Sequence, residues 1–388
     1  MQNILEFVRL KDLLQLNQVN KYWNIITNDK IYRQLSIPQE DIDDTLPLLL
    51  YSLKSNGRLV VQIDFGSLLI GKSEYQTMKN VILSCPNLIS LYWDHCPLEI
   101  LKDVLTEKLI HLTVPRDTNI RMFEQLQHVQ RMNMMSHVFP LDKIPFSNNL
   151  QSIYMFKCTF IGNDLNNIVE LDNLKSLTLD KCKLTFSSLT ATKSNITKLS
   201  LDSCTTSAGI IDWISESFPY LEILWLWLIT VSRLKPIKSL KWLRIHSPSH
   251  SNIFQDAVGM PIQRLELIDY AFSSSDHVVI RQMPLKHVVL SDCTNCVYDP
   301  FRHLESIAVG YSLPHPLLSD LYGCSDVRLY HMRLLTDYNQ IASFLMKSAA
   351  HKLYISESLV EREDRDRVKT LGKVVLCEDQ LGMKMTFK

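Results

Sequence analysis

Residues 174–182 read LKSLTLDKC, and residues 196–204 read ITKLSLDSC. In both, apolar residues stand at the first, fourth and sixth positions and a cysteine at the ninth. They are Leu174, Leu177, Leu179 and Cys182 in the first stretch, and Ile196, Leu199, Leu201 and Cys204 in the second. The fourth and sixth positions, with one residue between them, fit a short strand whose alternate side chains face inward. The ninth fits a turn that drops a small apolar side chain into the interior. So short a strand cannot bury its face alone and needs a copy stacked on each side.

Working outward, the same frame starts at Leu88, Leu109, Val129, Leu150, Leu174, Ile196, Leu221, Leu240, Ile262, Leu285, Leu304 and Cys324, with weaker copies at Ala350 and Leu371. Successive starts lie 19 to 26 residues apart by subtraction of those numbers. That spacing is the leucine-rich-repeat range, roughly 20–29 residues. A helical bundle with scattered leucines has no reason to keep this phase. The expected fold is α/β: a leucine-rich-repeat solenoid of about 14 repeats, with a parallel sheet on the concave face and helices on the convex face.

Composition narrows the function classes. Lys plus Arg equals Asp plus Glu, 41 against 41, which leaves no global field for nucleic acid or an anionic membrane. The longest apolar run, ILWLWLITV at residues 223–231, is far shorter than the ~20 residues a membrane helix needs. MQNILEFVRL has no basic head, long apolar core or small-residue cleavage site, so no export is expected and the nine cysteines should be reduced. Cys96, Cys158, Cys182, Cys204 and Cys293 all take ninth positions, where packing accounts for them. Cys293 and Cys296 form a lone CxxC without a second pair, so no metal and no cofactor are expected. There is no Gly-rich phosphate loop, no HExxH and no GxSxG. The expectation is a non-enzyme.

The amino-terminal stretch has another character. Leu5, Val8 and Leu10 suit a first helix, and Asp12 is an N-cap for a second carrying Leu13, Leu14, Leu16 and Val19. Val19, Trp23 and Ile26 continue at helical spacing, and Ile31, Tyr32 and Leu35 read as a last short helix ended by Pro38. Asp12-Leu13, the turn Val19-Asn20-Lys21-Tyr22-Trp23, and Tyr32 with Leu35 resemble the F-box. The layout as a whole resembles F-box and leucine-rich-repeat proteins. That family usually opens with Leu-Pro and an acidic residue ahead of helix one, for which nothing here precedes Met1. The resemblance therefore implies a short F-box-like all-α domain at residues 1–38, a linker helix at 39–57 and repeats over 58–388.

It also implies a substrate-recognition subunit of a Skp–cullin–F-box ubiquitin ligase, cytoplasmic and/or nuclear, which marks a protein target for proteasomal degradation. Leu5, Val8, Leu10, Leu13, Leu14, Val19 and Trp23 would grip a Skp-type adaptor, and through it cullin and a RING protein. The target would lie on the concave face, where the frame places Tyr154, Trp225, Trp227, Trp242, Arg244, Arg264 and Tyr330, beside Tyr92, Glu266, Arg328 and Tyr354. Exposed Trp beside Arg is the composition of interaction hot spots. The competing reading is a repeat scaffold with no ligase role, whose helical start caps the array.

Overall fold

The computed structural model describes residues 33–37, 42–104, 108–114, 123–137, 145–160, 164–184, 193–206, 209–229, 233–246, 253–302, 304–312, 318–330, 337–356 and 359–377. The chain divides into two compact units, Met1–Ser188 and Leu189–Lys388.

In the first unit the strands Gln34–Ser36, Gln62–Gly66, Ser90–Trp93, His111–Val114, Arg131–Met135, Ser152–Phe156 and Ser176–Asp180 each pair in parallel with the next. The second unit repeats the pattern with Lys198–Asp202, Ile223–Trp227, Trp242–His246, Arg264–Ile268, His287–Ser291, Ser306–Gly310, Asp326–Tyr330, Lys352–Ser356 and Val374–Cys377. Every frame read from the sequence carries one of these strands. Fourth positions face fourth positions, as in Leu199, Leu224, Leu243, Leu265, Val288, Ile307, Val327 and Leu353. All eight are fully buried. Parallel strands need crossovers, and these are uneven. Some contain helices, such as Tyr75–Leu83, Ile210–Ser217 and Tyr338–Lys347, and some contain short 3-10 turns, such as Glu124–Leu126 and Asp299–Phe301.

One expectation is corrected. Leu35 is not in a closing helix: Gln34–Ser36 is a strand, and Leu35 pairs with Ile63. Leu35 and Ile37 are buried, because they are the fourth and sixth positions of one more copy of the frame. Strands of the array therefore begin at Gln34, within the stretch assigned to the helical domain, rather than at residue 58. The helix expected at 39–57 is present as Ile42–Asn56.

The ninth position does more than fill space. Cys158 Sγ donates to Met134 O (3.8 Å), Cys182 Sγ to Met155 O (3.4 Å) and Cys293 Sγ to Leu267 O (3.4 Å). Each acceptor is the sixth-position carbonyl of the preceding strand. His137 takes the same place in the Val129 copy, and its Nε2 lies 3.3 Å from Val114 O.

The eighth position is left-handed. Ser136, Lys157, Lys181, Ser203, Leu228, Asp269, Asp292 and Tyr311 all have φ between 50° and 56°. This turn lets the eighth N–H reach the seventh-position carbonyl of the following strand, as Lys157 N does Asp180 O and Leu228 N does His246 O. A non-glycine residue there costs roughly 1–2 kcal/mol. Leu228, 47% exposed, is an apolar residue with only part of its side chain packed to offset that cost. Leu228→Gly is expected to raise the unfolding free energy by up to about 1 kcal/mol in urea titration, after the entropy that glycine adds to the unfolded chain. An unchanged or lower midpoint would show that the leucine side chain outweighs the strain.

Candidate docking face

With the fourth and sixth positions inward, the third, fifth and seventh point to the opposite side of the sheet. In the second unit, four consecutive strands bring a dense aromatic and cationic group to that side. Trp225, Arg244 and Glu266 form one cross-strand row, and Lys198, Ile223, Trp242 and Arg264 another. Trp227 and His246 belong to a third.

The group is bound together by ring and charge contacts. Trp225 and Trp242 meet edge to face with centroids 5.2 Å apart, and Trp227 meets the His246 ring at 4.1 Å. Lys198 Nζ lies 4.5 Å above Trp225, Arg264 lies 3.9 Å above Trp242, and Arg244 lies 5.1 Å from Trp227. Such contacts contribute about 0.5–2 kcal/mol each, more as they lose water. Burial holds the His246 pKa below its ordinary value; Asp269 pulls it back up, and Arg244 adds to the depression.

Glu266 anchors the arginines. The frame points it outward, yet it is only 2% exposed. Its Oε1 accepts from Arg264 Nε and pairs with Arg264 Nη2, both at 2.7 Å, while Arg244 Nε stands 3.6 Å from Oε2. Four polar atoms in this group find no hydrogen-bond partner among the described residues: Trp225 Nε1, Trp242 Nε1, Arg244 Nε and His246 Nδ1.

The structure thus brings Trp225, Trp227, Trp242, Arg244 and Arg264 together, and joins Lys198, His246 and Glu266 to them. Tyr330 lies elsewhere in the second unit, on the strand that carries Arg328, and Arg328 also covers the Tyr354 ring at 4.7 Å. Tyr154 is in the first unit, where its hydroxyl donates to Asp180 Oδ2 at 2.9 Å. Leu5, Val8, Leu10, Leu13, Leu14, Val19 and Trp23 lie outside the described residues. Lys198 and His246 were missed because a frame counted one repeat at a time shows which way a side chain points, not its neighbours in the next repeat.

The nine cysteines form no disulfide, and all but the half-buried Cys377 are buried. Burial pushes the Cys85 thiol up to about 12. Among the described residues no group of His, Cys, Asp or Glu is placed to hold a metal ion, and no helix is long and apolar enough to cross a membrane.

No protein-family model matches the chain, and no curated protein matches its sequence. Its structure is similar to a TLR13–ssRNA13 complex, with a TM-score of 0.52 and 15% identity over 84% of this chain and 54% of that one. It therefore spans about half of the TLR13 chain. An internalin from Listeria monocytogenes aligns over 88% of this chain and 92% of its own, with a TM-score of 0.42 and 13% identity. The leucine-rich-repeat domain of APL1B aligns over 85% of this chain and 81% of its own, with a TM-score of 0.30 and 11% identity. The recurring buried frame, the one-to-one parallel register and the TLR13 likeness give this chain the leucine-rich-repeat fold, an architecture that presents broad faces to binding partners.

Proposed function

We propose that the chain is a recognition subunit with no bond chemistry of its own, which holds a protein target on the tryptophan–arginine face and hands it to a ubiquitin ligase. The observation that carries the target-binding half is the half-exposed group of Trp225, Trp227 and Trp242 interleaved with Arg244 and Arg264. Aromatic and arginine side chains dominate the energetics of protein interfaces, and a group already rigidified by mutual stacking loses little entropy on binding. The ligase half is supported by the F-box-like string, through which Leu5, Val8, Leu10, Leu13, Leu14, Val19 and Trp23 would engage a Skp-type adaptor and, beyond it, cullin and a RING protein. Holding the target there raises the effective concentration of its lysines beside a ubiquitin-loaded enzyme.

One observation favours a second reading. Leu35 and Ile37 are sealed in the sheet, so the last part of the F-box-like motif is also the start of the array. On that reading the chain is a protein-binding scaffold without a ligase role. Co-purification of the full chain with a recombinant Skp-type adaptor separates the two. Under the ligase reading the full chain retains adaptor, Val19→Asp with Trp23→Asp loses it, and Trp225→Ala with Trp242→Ala keeps it. Adaptor passing through unbound with the full chain would leave the scaffold.

A further inference from the structure

We infer that the segment received on this face is an acidic peptide, with a carboxylate seated between Arg244 and Lys198. The inference deepens the target-binding half of the proposed function and rests on it.

The ring faces argue first against the opposite charge. Lys198 covers Trp225, Arg264 covers Trp242, and Arg244 stands over Trp227. The tryptophans already hold cations of this chain, so they do not form an open cage for a cationic ligand. What remains unmet is donor capacity. Indole Nε1 and guanidinium Nε only donate, and Trp225 Nε1, Trp242 Nε1 and Arg244 Nε have no acceptor among the described residues. A buried N–H without an acceptor is destabilising, so an acceptor brought over the patch relieves a cost already present in the free protein. The indoles that carry two of these donors, and those that Arg244 stacks on, are half-exposed, so a small movement of them would open the donors to it.

Within the rows of Trp225 and Trp242, the pairing of charges points the same way. Arg264 is matched by Glu266 at 2.7 Å. Arg244 Nε stands 3.6 Å from the other oxygen, beyond hydrogen-bond reach. Lys198 has no carboxylate partner among the described residues. One carboxylate thus serves two arginines, and a lysine stands beside them. A peptide fits better than a nucleic acid. A phosphate backbone needs a run of cations along its path. Here Asp202, next to Trp227 across the strands, and Asp269, 48% exposed, border the patch with negative charge. A single acidic side chain, flanked by apolar residues against the indole edges, matches a patch whose unmatched cations are Arg244 and Lys198.

The test uses the full chain and a fluorescein-labelled peptide of alternating glutamate and leucine, its glutamine counterpart, and labelled oligouridylate. Anisotropy and tryptophan quenching are read against salt. The glutamate peptide is expected to bind, the glutamine peptide to bind about tenfold more weakly, and Arg244→Gln or Lys198→Gln to weaken the glutamate peptide about tenfold, while Arg328→Gln leaves it unchanged. Equal binding of the two peptides, indifference to both Arg244→Gln and Lys198→Gln, or preference for oligouridylate would overturn the inference. A protein partner lost by Trp225→Ala with Trp242→Ala but kept by Arg244→Gln and Lys198→Gln would overturn the acidic peptide and leave the docking face standing. A partner indifferent to all four substitutions would overturn the docking face as well.

Discussion

Asp276→Ala is expected to lower the unfolding free energy of the second unit by roughly 3–5 kcal/mol, because it strips the acceptor from a buried hydrogen-bond network. Asp276 is fully buried near the start of the helix Ser274–Ile280. Its Oδ2 accepts from Ser273 N–H at 2.9 Å, Ser273 Oγ at 2.8 Å and Tyr270 OH at 3.0 Å. Its Oδ1 takes the Phe254 N–H at 3.4 Å. Ser273 answers by accepting the Asp276 N–H at 3.2 Å, so the two residues form a reciprocal cap. Alanine would leave the Tyr270 hydroxyl and two backbone N–H groups without this acceptor, and open a cavity beside the Phe254, Tyr270 and Phe272 rings. Burial, reinforced by Asp276, raises the Tyr270 pKa, so the phenol stays a donor. Each repeat leans on its neighbours alone, so the loss should be local at first. Hydrogen exchange should show it over residues 253–280 before the rest of the unit. Asp276→Asn separates charge from volume, since it keeps the shape and turns part of the acceptor into a donor. An Asp276→Ala variant within about 1 kcal/mol of the parent would mean that the network contributes far less than its geometry suggests.

Glu266→Ala should be the second most damaging change. It removes the carboxylate between Arg264 and Arg244, whose side chains are 19% and 27% exposed. Breaking a buried ion pair from one side typically costs 3–5 kcal/mol. Because water still reaches both guanidinium groups, about 2–3 kcal/mol is expected here. The loss should come with movement of the face, since Arg264 holds Trp242 and Arg244 holds Trp227. Near-ultraviolet circular dichroism of the tryptophans reads that movement independently of unfolding. The double variant Glu266→Ala with Arg264→Ala should recover part of the loss, which a thermodynamic cycle measures. Additive effects would mean that the two residues stabilise the unit separately.

The strands were legible because their signal is redundant. Each frame repeats the same three inward positions, so the degenerate copy at Val129, with Met132 and Met134, is still found by its phase. The strand at Gln34–Ser36 was missed for a physical reason. A three-residue strand shows almost no alternation, and Ile31, Tyr32 and Leu35 also fit helical spacing. The spacing Tyr32-x-x-Leu35-x-Ile37 does carry the frame, and the F-box-like motif claims two of the same residues. On the face, the tryptophans and arginines were legible as outward positions. The burial of Glu266 was not, because it depends on Arg244 in the previous repeat and on Arg264 two residues earlier on the same side. The left-handed eighth positions had no sequence signal: lysine, serine, leucine, aspartate and tyrosine all occur there, and none is glycine.

The thiol bridges between repeats have a consequence for modularity. Cys182 Sγ reaches back to Met155 O, while Cys158 Sγ reaches Met134 O by the same geometry. Excising residues 150–173 would bring the donor of one module against the waiting acceptor of an earlier one, like for like. The ninth-position ladder thus makes the seam between modules interchangeable, so whole units can be spliced out or duplicated in phase, whereas a cut out of phase orphans a carbonyl at the joint.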